Sequence, residues 1–315
     1  MNRMSIYFFR SLLCVALFCV LFALLQECLK PKYCDNVNNS TAMVDGFYAL
    51  KKNSVDVLFL GGSQMAYAVA ADQLGTDCGV IAYDFGANGQ MPSTTLYYLR
   101  QAFKRQRPKL VLLEVGQMFD TNAPDDAYYA WNMSPMPFSM DKWRHLMQLS
   151  NGDWKASFMH LFPLLQYHSR WKELSRNDFR LPFVRREYAS CGHLASPITQ
   201  GVKLPEKALQ GTDVQLPDAN ERCLLDMLRL CQERGSRLIL FKAPSIEWQT
   251  PNIALESFTN EHSIQYWDFN ANLEEIGLDF NSDFVDAMHI NANGARRFST
   301  CLAKRLKILL SESHI

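Results

Sequence analysis

Three residues of this sequence have the types and placements needed for nucleophilic catalysis. Ser63 closes the stretch Val55-Asp-Val-Leu-Phe-Leu-Gly-Gly-Ser, and Asp286 and His289 stand three residues apart in Asp286-Ala-Met-His. A serine hydroxyl is a poor nucleophile until a base takes its proton, and that base must itself be oriented. An aspartate can hold one imidazole nitrogen while the other faces the serine. Acyl chemistry also needs donors for a developing oxyanion. The Ser63 backbone N–H, the Gly89 N–H and the Asn88 side chain, the last two in Gly86-Ala-Asn-Gly-Gln, are the candidates.

These residues are useful only if strand ends bring them to one edge. Val55 to Leu60 is a nearly continuous apolar run, the pattern of a strand covered on both faces. Val80–Phe85 and Leu110–Val115 are further strands, each followed by a glycine, with a helix between them that Ser93 or Thr94 would cap. A leading helix over Ala42–Lys52 precedes the first strand. Later come a helix over Asn220–Arg234 ended by Gly235, strands over Arg237–Phe241 and Ile264–Asp268, a helix over Asn252–His262, and a closing helix from Asn291 or Asn293. Alternating strands and helices imply a parallel sheet with crossover helices. The expected fold is a three-layer α/β/α domain with a flavodoxin-like sheet over residues 54–315, whose strands' carboxyl ends form the site. Residues 120–217 break the rhythm with aromatics, methionines and prolines. They read as an inserted lid or subdomain with helices at Met140–Leu149 and Trp154–Leu174, because a structureless loop that long is implausible.

The N-terminus adds a different element. Ser11 to Leu25 is uncharged and apolar, and Ile6–Phe9 extends it across Arg10. Together they reach the roughly 20 residues that a membrane span requires. Arg3 and Arg10 favour a cytoplasmic N-terminus with the body exported. A cleaved signal peptide is the rival; no small-x-small cleavage site follows, which favours an uncleaved signal-anchor over residues 1–29. Residues 30–53 then form a polar linker and the leading helix. In an oxidising compartment the six cysteines outside the anchor region are either disulfide partners or buried free thiols.

Composition narrows the classes. The 315 residues are 48% hydrophobic, and Lys+Arg and Asp+Glu both number 32. A zero net charge with no basic stripe argues against nucleic acid. No Gly-x-Gly-x-x-Gly or P-loop lysine follows the first strand, which disfavours a nucleotide site. No zinc-ligand spacing occurs, so neither metal nor cofactor is expected; Cys191-Gly-His193 is too small a set. His145, His160 and His168 read as structural, Met133, Met136 and Met140 as lid packing, and Glu114 as a buried acid ending its strand.

Taken together, the blocks resemble the SGNH (GDSL-type) hydrolase superfamily over most of residues 54–310. Leu60-Gly-Gly-Ser63 is similar to its first block, with Gly62 where aspartate is frequent. Asp84-Phe-Gly-Ala-Asn-Gly89 resembles the second, and Asp286-Ala-Met-His289 the last. The resemblance implies a catalytic Ser63, His289 and Asp286, and an oxyanion donor at Gly89. The third block normally supplies an asparagine; here Gly116-Gln-Met stands there, so either Gln117 substitutes as donor or that donor is missing. The anchor and flanking motifs are most similar to the membrane-anchored branch typified by the teichoic-acid D-alanyl transfer protein and alginate acetylation proteins. That branch implies an extracytoplasmic acyl-transfer enzyme or esterase acting on cell-envelope glycan, working with a membrane-bound O-acyltransferase. The alternative from another class is a non-catalytic module of the same fold that binds glycan or scaffolds the acyltransferase.

Overall fold

The computed structural model describes residues 3–31, 40–176, 178–179, 190–202, 215–246, 253–270 and 273–312. Cys34 falls outside them. Five parallel strands form one sheet in the order β2-β1-β3-β4-β5. They are β1 (Val57–Leu60), β2 (Ala82–Asp84), β3 (Leu110–Glu114), β4 (Arg237–Lys242) and β5 (Gln265–Asp268). This is the flavodoxin-like order, with the chain reversing direction across the sheet between β1 and β3.

Alternation along the strands explains the three layers. Leu58, Leu60, Val111, Leu113, Leu238 and Leu240 point into one buried cluster. Val57, Phe59, Leu110, Leu112, Ile239 and Phe241 point into another on the opposite face. The first cluster is closed by α2 (Thr41–Ala49), α5 (Pro92–Phe103), α10 (Asp218–Arg234) and α11 (Ile253–Glu261). The second is closed by α4 (Ala71–Cys78), α13 (Ala292–Glu312) and the short α3 (Ser63–Ala68) and α12 (Leu273–Ile276).

Several boundaries differ from expectation for local reasons. β1 begins at Val57 rather than Val55, because the Ser54 and Val55 N–H groups donate to the Gln106 side chain at 2.8 and 3.2 Å. β2 begins at Ala82 because the Ile81 N–H donates to Asp56 Oδ2 at 2.9 Å. Neither Ser93 nor Thr94 caps α5. Pro92 occupies its first turn after Met91, where a fixed φ and a missing N–H cost nothing. Gly235, at φ 70, does end α10 as expected.

The described part of the insertion carries several short helices. After Asp120 come a single turn α6 (Asp126–Tyr128), a π-helical turn at Tyr129–Met133, α7 (Met140–Leu149), α8 (Trp154–Leu161) and α9 (Pro163–Tyr167). α7 has the expected bounds. The long helix expected to Leu174 is broken at Phe162, which is extended at φ −115, ψ 111. Pro163 disfavours a helical residue before it. Met133 and Met136 are core residues, whereas Met140 is 59% exposed.

One helix, α1 (Arg3–Leu29), leaves its apolar window unburied by the rest of the chain. At 27 residues it is about 40 Å long, enough to cross a bilayer as an anchor or to serve as a signal sequence. All eight described cysteines are free thiols.

Candidate active site

The turn after β1 is built for close approach. Gly61 has φ +147, and a Cβ on it would lie 2.8 Å from Glu114 Cβ. A Cβ on Gly62 would lie 2.4 Å from Gln117 Cγ. The space an aspartate would use here is therefore taken by the Gln117 side chain. Ser63 then begins α3, whose first backbone bond is Ala66 N–H to Gly62 O at 3.1 Å. Gly62 provides no side-chain cap, so the Ser63 N–H has no acceptor within the helix.

His289 arrives from the other end of the chain. Its loop is closed by a bridge between Phe284 and Ile290 and pinned to the end of β4 by Ile246 N–H to Ala287 O at 2.9 Å. Asn291 Oδ1 accepts the Asn293 and Gly294 N–H groups at 3.0 and 3.1 Å, capping α13 directly after the histidine. Asp286 Oδ1 accepts the Met288 and His289 N–H groups at 2.8 and 2.9 Å. Those bonds aim the carboxylate at His289 Nδ1, 2.9 and 3.0 Å from its two oxygens. A carboxylate on Nδ1 keeps the proton there, so Nε2 is left as an acceptor. Nε2 lies 2.7 Å from Ser63 Oγ. The three sequence-selected residues form one chain of hydrogen bonds at the carboxyl end of β1.

The other candidates are placed as follows. Gln117, in the 3₁₀ turn Gly116–Phe119 after β3, packs its amide beside Gly62, with Nε2 3.4 Å from a Cβ built there. Its Oε1 is buried without a partner among the described residues. Asn88 is buried, and its side chain hydrogen-bonds the Tyr67 hydroxyl. Gly89 lies on the loop after β2 at φ +63, beside the Tyr128 ring.

Two residues that the sequence reading did not single out support this arrangement. Tyr67 lies one turn beyond Ser63 on α3, and its ring centroid is 5.0 Å from that of His289. Burial is the main cause that raises its phenol pKa, against the Asn88 hydrogen bond. It therefore touches both His289 and the glycine loop. Its four-residue spacing from Ser63 was the available signal, visible only if α3 is expected. Asn132, in the π-helical turn, donates from Nδ2 to Asn88 O at 2.9 Å. Asn132 is fully buried, and its only sequence signal was an amide within the apolar stretch Tyr128–Met133.

Two acids lie beneath the site. Burial raises the Glu114 carboxyl from 4.5 to about 7, opposed by the Gly116, Ala243 and Val115 N–H groups and by Lys242. Burial likewise raises Asp84, whose Oδ1 accepts the Gly86 N–H at 3.1 Å. The expected structural histidines are occupied elsewhere. His145 Nε2 is 2.8 Å from Thr94 Oγ1, His160 stacks on Tyr129, and His168 Nδ1 is 2.9 Å from Leu165 O; His193, of the small Cys191–His193 set, has Nε2 3.1 Å from Tyr67 O.

No family model matches the chain, and no curated protein does. Among solved structures, it is similar to a GDSL-like lipase from Bacteroides thetaiotaomicron at 11% identity and a TM-score of 0.44, covering 87% of this chain and all of that one. It is also similar to a protein from Bacteroides fragilis described as an acylhydrolase, at 11% identity and a TM-score of 0.42, covering 84% of this chain and 93% of that one. The chemistry is accordingly read from the residues of the site.

Proposed function

We propose that this chain is a membrane-tethered serine acyl-transfer enzyme or esterase acting on O-acyl groups of a cell-envelope glycan, with its site outside the cytoplasmic membrane. The carrying observation is the alignment of Ser63 Oγ, His289 and Asp286, 2.7 Å and 2.9 Å apart in sequence of contact. Ser63 Oγ attacks the acyl carbon while its proton passes to His289 Nε2, and Asp286 stabilises the resulting imidazolium. The C–O bond to the leaving alcohol breaks as His289 returns that proton to it. An acyl-Ser63 remains until a glycan hydroxyl or water attacks, with His289 again taking the proton. The Ser63 and Gly89 N–H groups and the Gln117 amide are the proposed oxyanion donors. α1 is the uncleaved anchor, and Arg3 and Arg10 keep its N-terminus cytoplasmic. A membrane-bound O-acyltransferase beside it would supply acyl groups at high effective concentration.

A fluorophosphonate probe tests the core of this reading. Stoichiometric capture at Ser63, lost in Ser63→Ala and strongly slowed in His289→Ala, is the expected result. A folded chain that is not captured would sink the catalytic reading and leave a binding or scaffolding module.

A further inference from the structure

The last two turns of α1 are gripped by the body. Gln26 Oε1 accepts the Leu164 N–H at 2.6 Å, and Arg170 Nη1 donates to Leu29 O at 3.0 Å. Lys30 Nζ pairs with Asp45 at 3.3 Å. α1 is thus fixed against the insertion, chiefly against α9 and the chain after it. Higher on the same contact, the Phe22 ring meets the Phe162 ring edge-on at 5.4 Å.

That contact sets a depth. Phe22 lies inside the uncharged run ending at Leu25, seven residues before Leu29, or about 10 Å along the helix axis. Any placement of α1 across a bilayer puts Phe22 in the hydrocarbon or at its margin, and Phe162 goes with it. Phe162 is also the centre of an apolar patch. Phe138 stacks on it at 5.8 Å and Phe158 meets it edge-on at 5.1 Å. Phe138 is 65% exposed, Phe158 45%, and Trp154, one turn before Phe158 on α8, 59%. Water is a poor solvent for such a contiguous patch. Lys155 lies over the Trp154 ring at 5.8 Å, and Lys172 over Trp171 at 5.5 Å. Tryptophans with adjacent lysines are the residues that settle at the headgroup level of a membrane.

We propose that this face of the insertion is a membrane seat. The rings of Phe138, Phe158, Phe162 and Trp154 enter the headgroup and upper acyl region of the bilayer that α1 crosses, with Lys155 and Lys172 against anionic headgroups. The inference rests on the reading of α1 as a retained anchor. The occupant is lipid, because continuity with α1 brings the patch to lipid depth without any partner. The seat also reaches the catalytic side, since Asn132 of the same insertion holds Asn88.

The test places the full chain in nanodiscs of phosphatidylcholine and phosphatidylglycerol containing a phospholipid with a diazirine near the ester end of its acyl chain. Irradiation and peptide mass spectrometry should find adducts on α1 and also on the stretch 154–162 and Phe138. Phe138→Ser/Phe158→Ser should reduce adducts in the insertion severalfold and leave those on α1, with Ser63 capture by the fluorophosphonate showing an intact fold. Adducts on α1 alone would overturn the seat while the anchor stands. A chain that does not enter the discs, or that has lost α1, would overturn the anchor reading, and the seat with it.

Discussion

Glu114 offers a measurement whose size follows from its surroundings. The carboxyl ends β3 beneath Gly61, is 1% exposed, and has Oε2 without a partner among the described residues. Burial lifts it from 4.5 to about 7. A carboxyl with a raised folded-state pKa is most favourable to folding below its unfolded value. Its contribution falls as pH rises between 4.5 and about 7, because there the unfolded chain has released a proton that the folded chain retains. At about 1.4 kcal/mol for each tenfold change, the whole rise is worth about 3 kcal/mol, as an order of magnitude. Glu114→Gln has no such titration, and its amide oxygen can still accept the Gly116 N–H that now lies 2.8 Å from Oε1. Any cost of the new NH₂ group is constant with pH. Urea unfolding of the wild-type and Glu114→Gln chains, read by tryptophan fluorescence at pH 4.5 to 8.5, should show the variant gaining about 3 kcal/mol relative to wild type across that range. All other titrations cancel in the difference. A difference that stays flat with pH would refute the reasoning, since Glu114 would then ionise as readily folded as unfolded.

Other perturbations report on neighbouring features. Lys142 is buried with Nζ 3.0 Å from Met136 O, and burial chiefly lowers its pKa from 10.5 to about 7. The penalty for its charge is complete below about 7 and fades as pH rises toward 10.5, so Lys142→Met should melt above wild type at pH 6 and lose that advantage by pH 10. Asn132→Leu removes the donor to Asn88 O and should cost about 1–3 kcal/mol of stability; it should also slow fluorophosphonate capture, and unchanged capture would show that the glycine loop stands without that support. Gly62→Ala should destabilise by about 1–3 kcal/mol through its clash with Gln117. Adding Gln117→Ala should relieve most of that cost, and additive losses in the double variant would place the conflict elsewhere.

The sheet was legible because fully covered parallel strands carry unbroken apolar runs, and β1, β3 and β4 do so plainly. The strand starts were less legible. Asp56 and Gln106 divert backbone N–H groups into side-chain bonds, which no apolar pattern records. The hydrogen-bonded residues of the site could be read because each follows a strand or precedes a helix, where chain direction limits where a side chain can go. Tyr67 and Asn132 could not, since their importance lies in what they touch from elements whose helical character was unassigned. The insertion was legible as helical in α7, whose cap Ser139 accepts the Lys142 N–H. Its division after Leu161 follows from Pro163, whose ring disfavours a helical conformation at Phe162.

The hydrogen bond from Ser63 to His289 spans 226 residues, and this separation orders events while the chain is being made. β1, the Gly61–Gly62 turn and Ser63 leave the ribosome early, but their base belongs to the final stretch before α13. The strand pairings on either side of β1 can form first, since β2 and β3 follow it closely. β4 and β5, which anchor and flank the histidine loop, come much later. A nascent chain therefore carries Ser63 without its histidine partner for most of its synthesis, and truncation anywhere before His289 leaves the hydroxyl without that partner. Long-range closure of this kind is slow to form. In the proposed mechanism it also means that Ser63 gains its base only after His289 has been made.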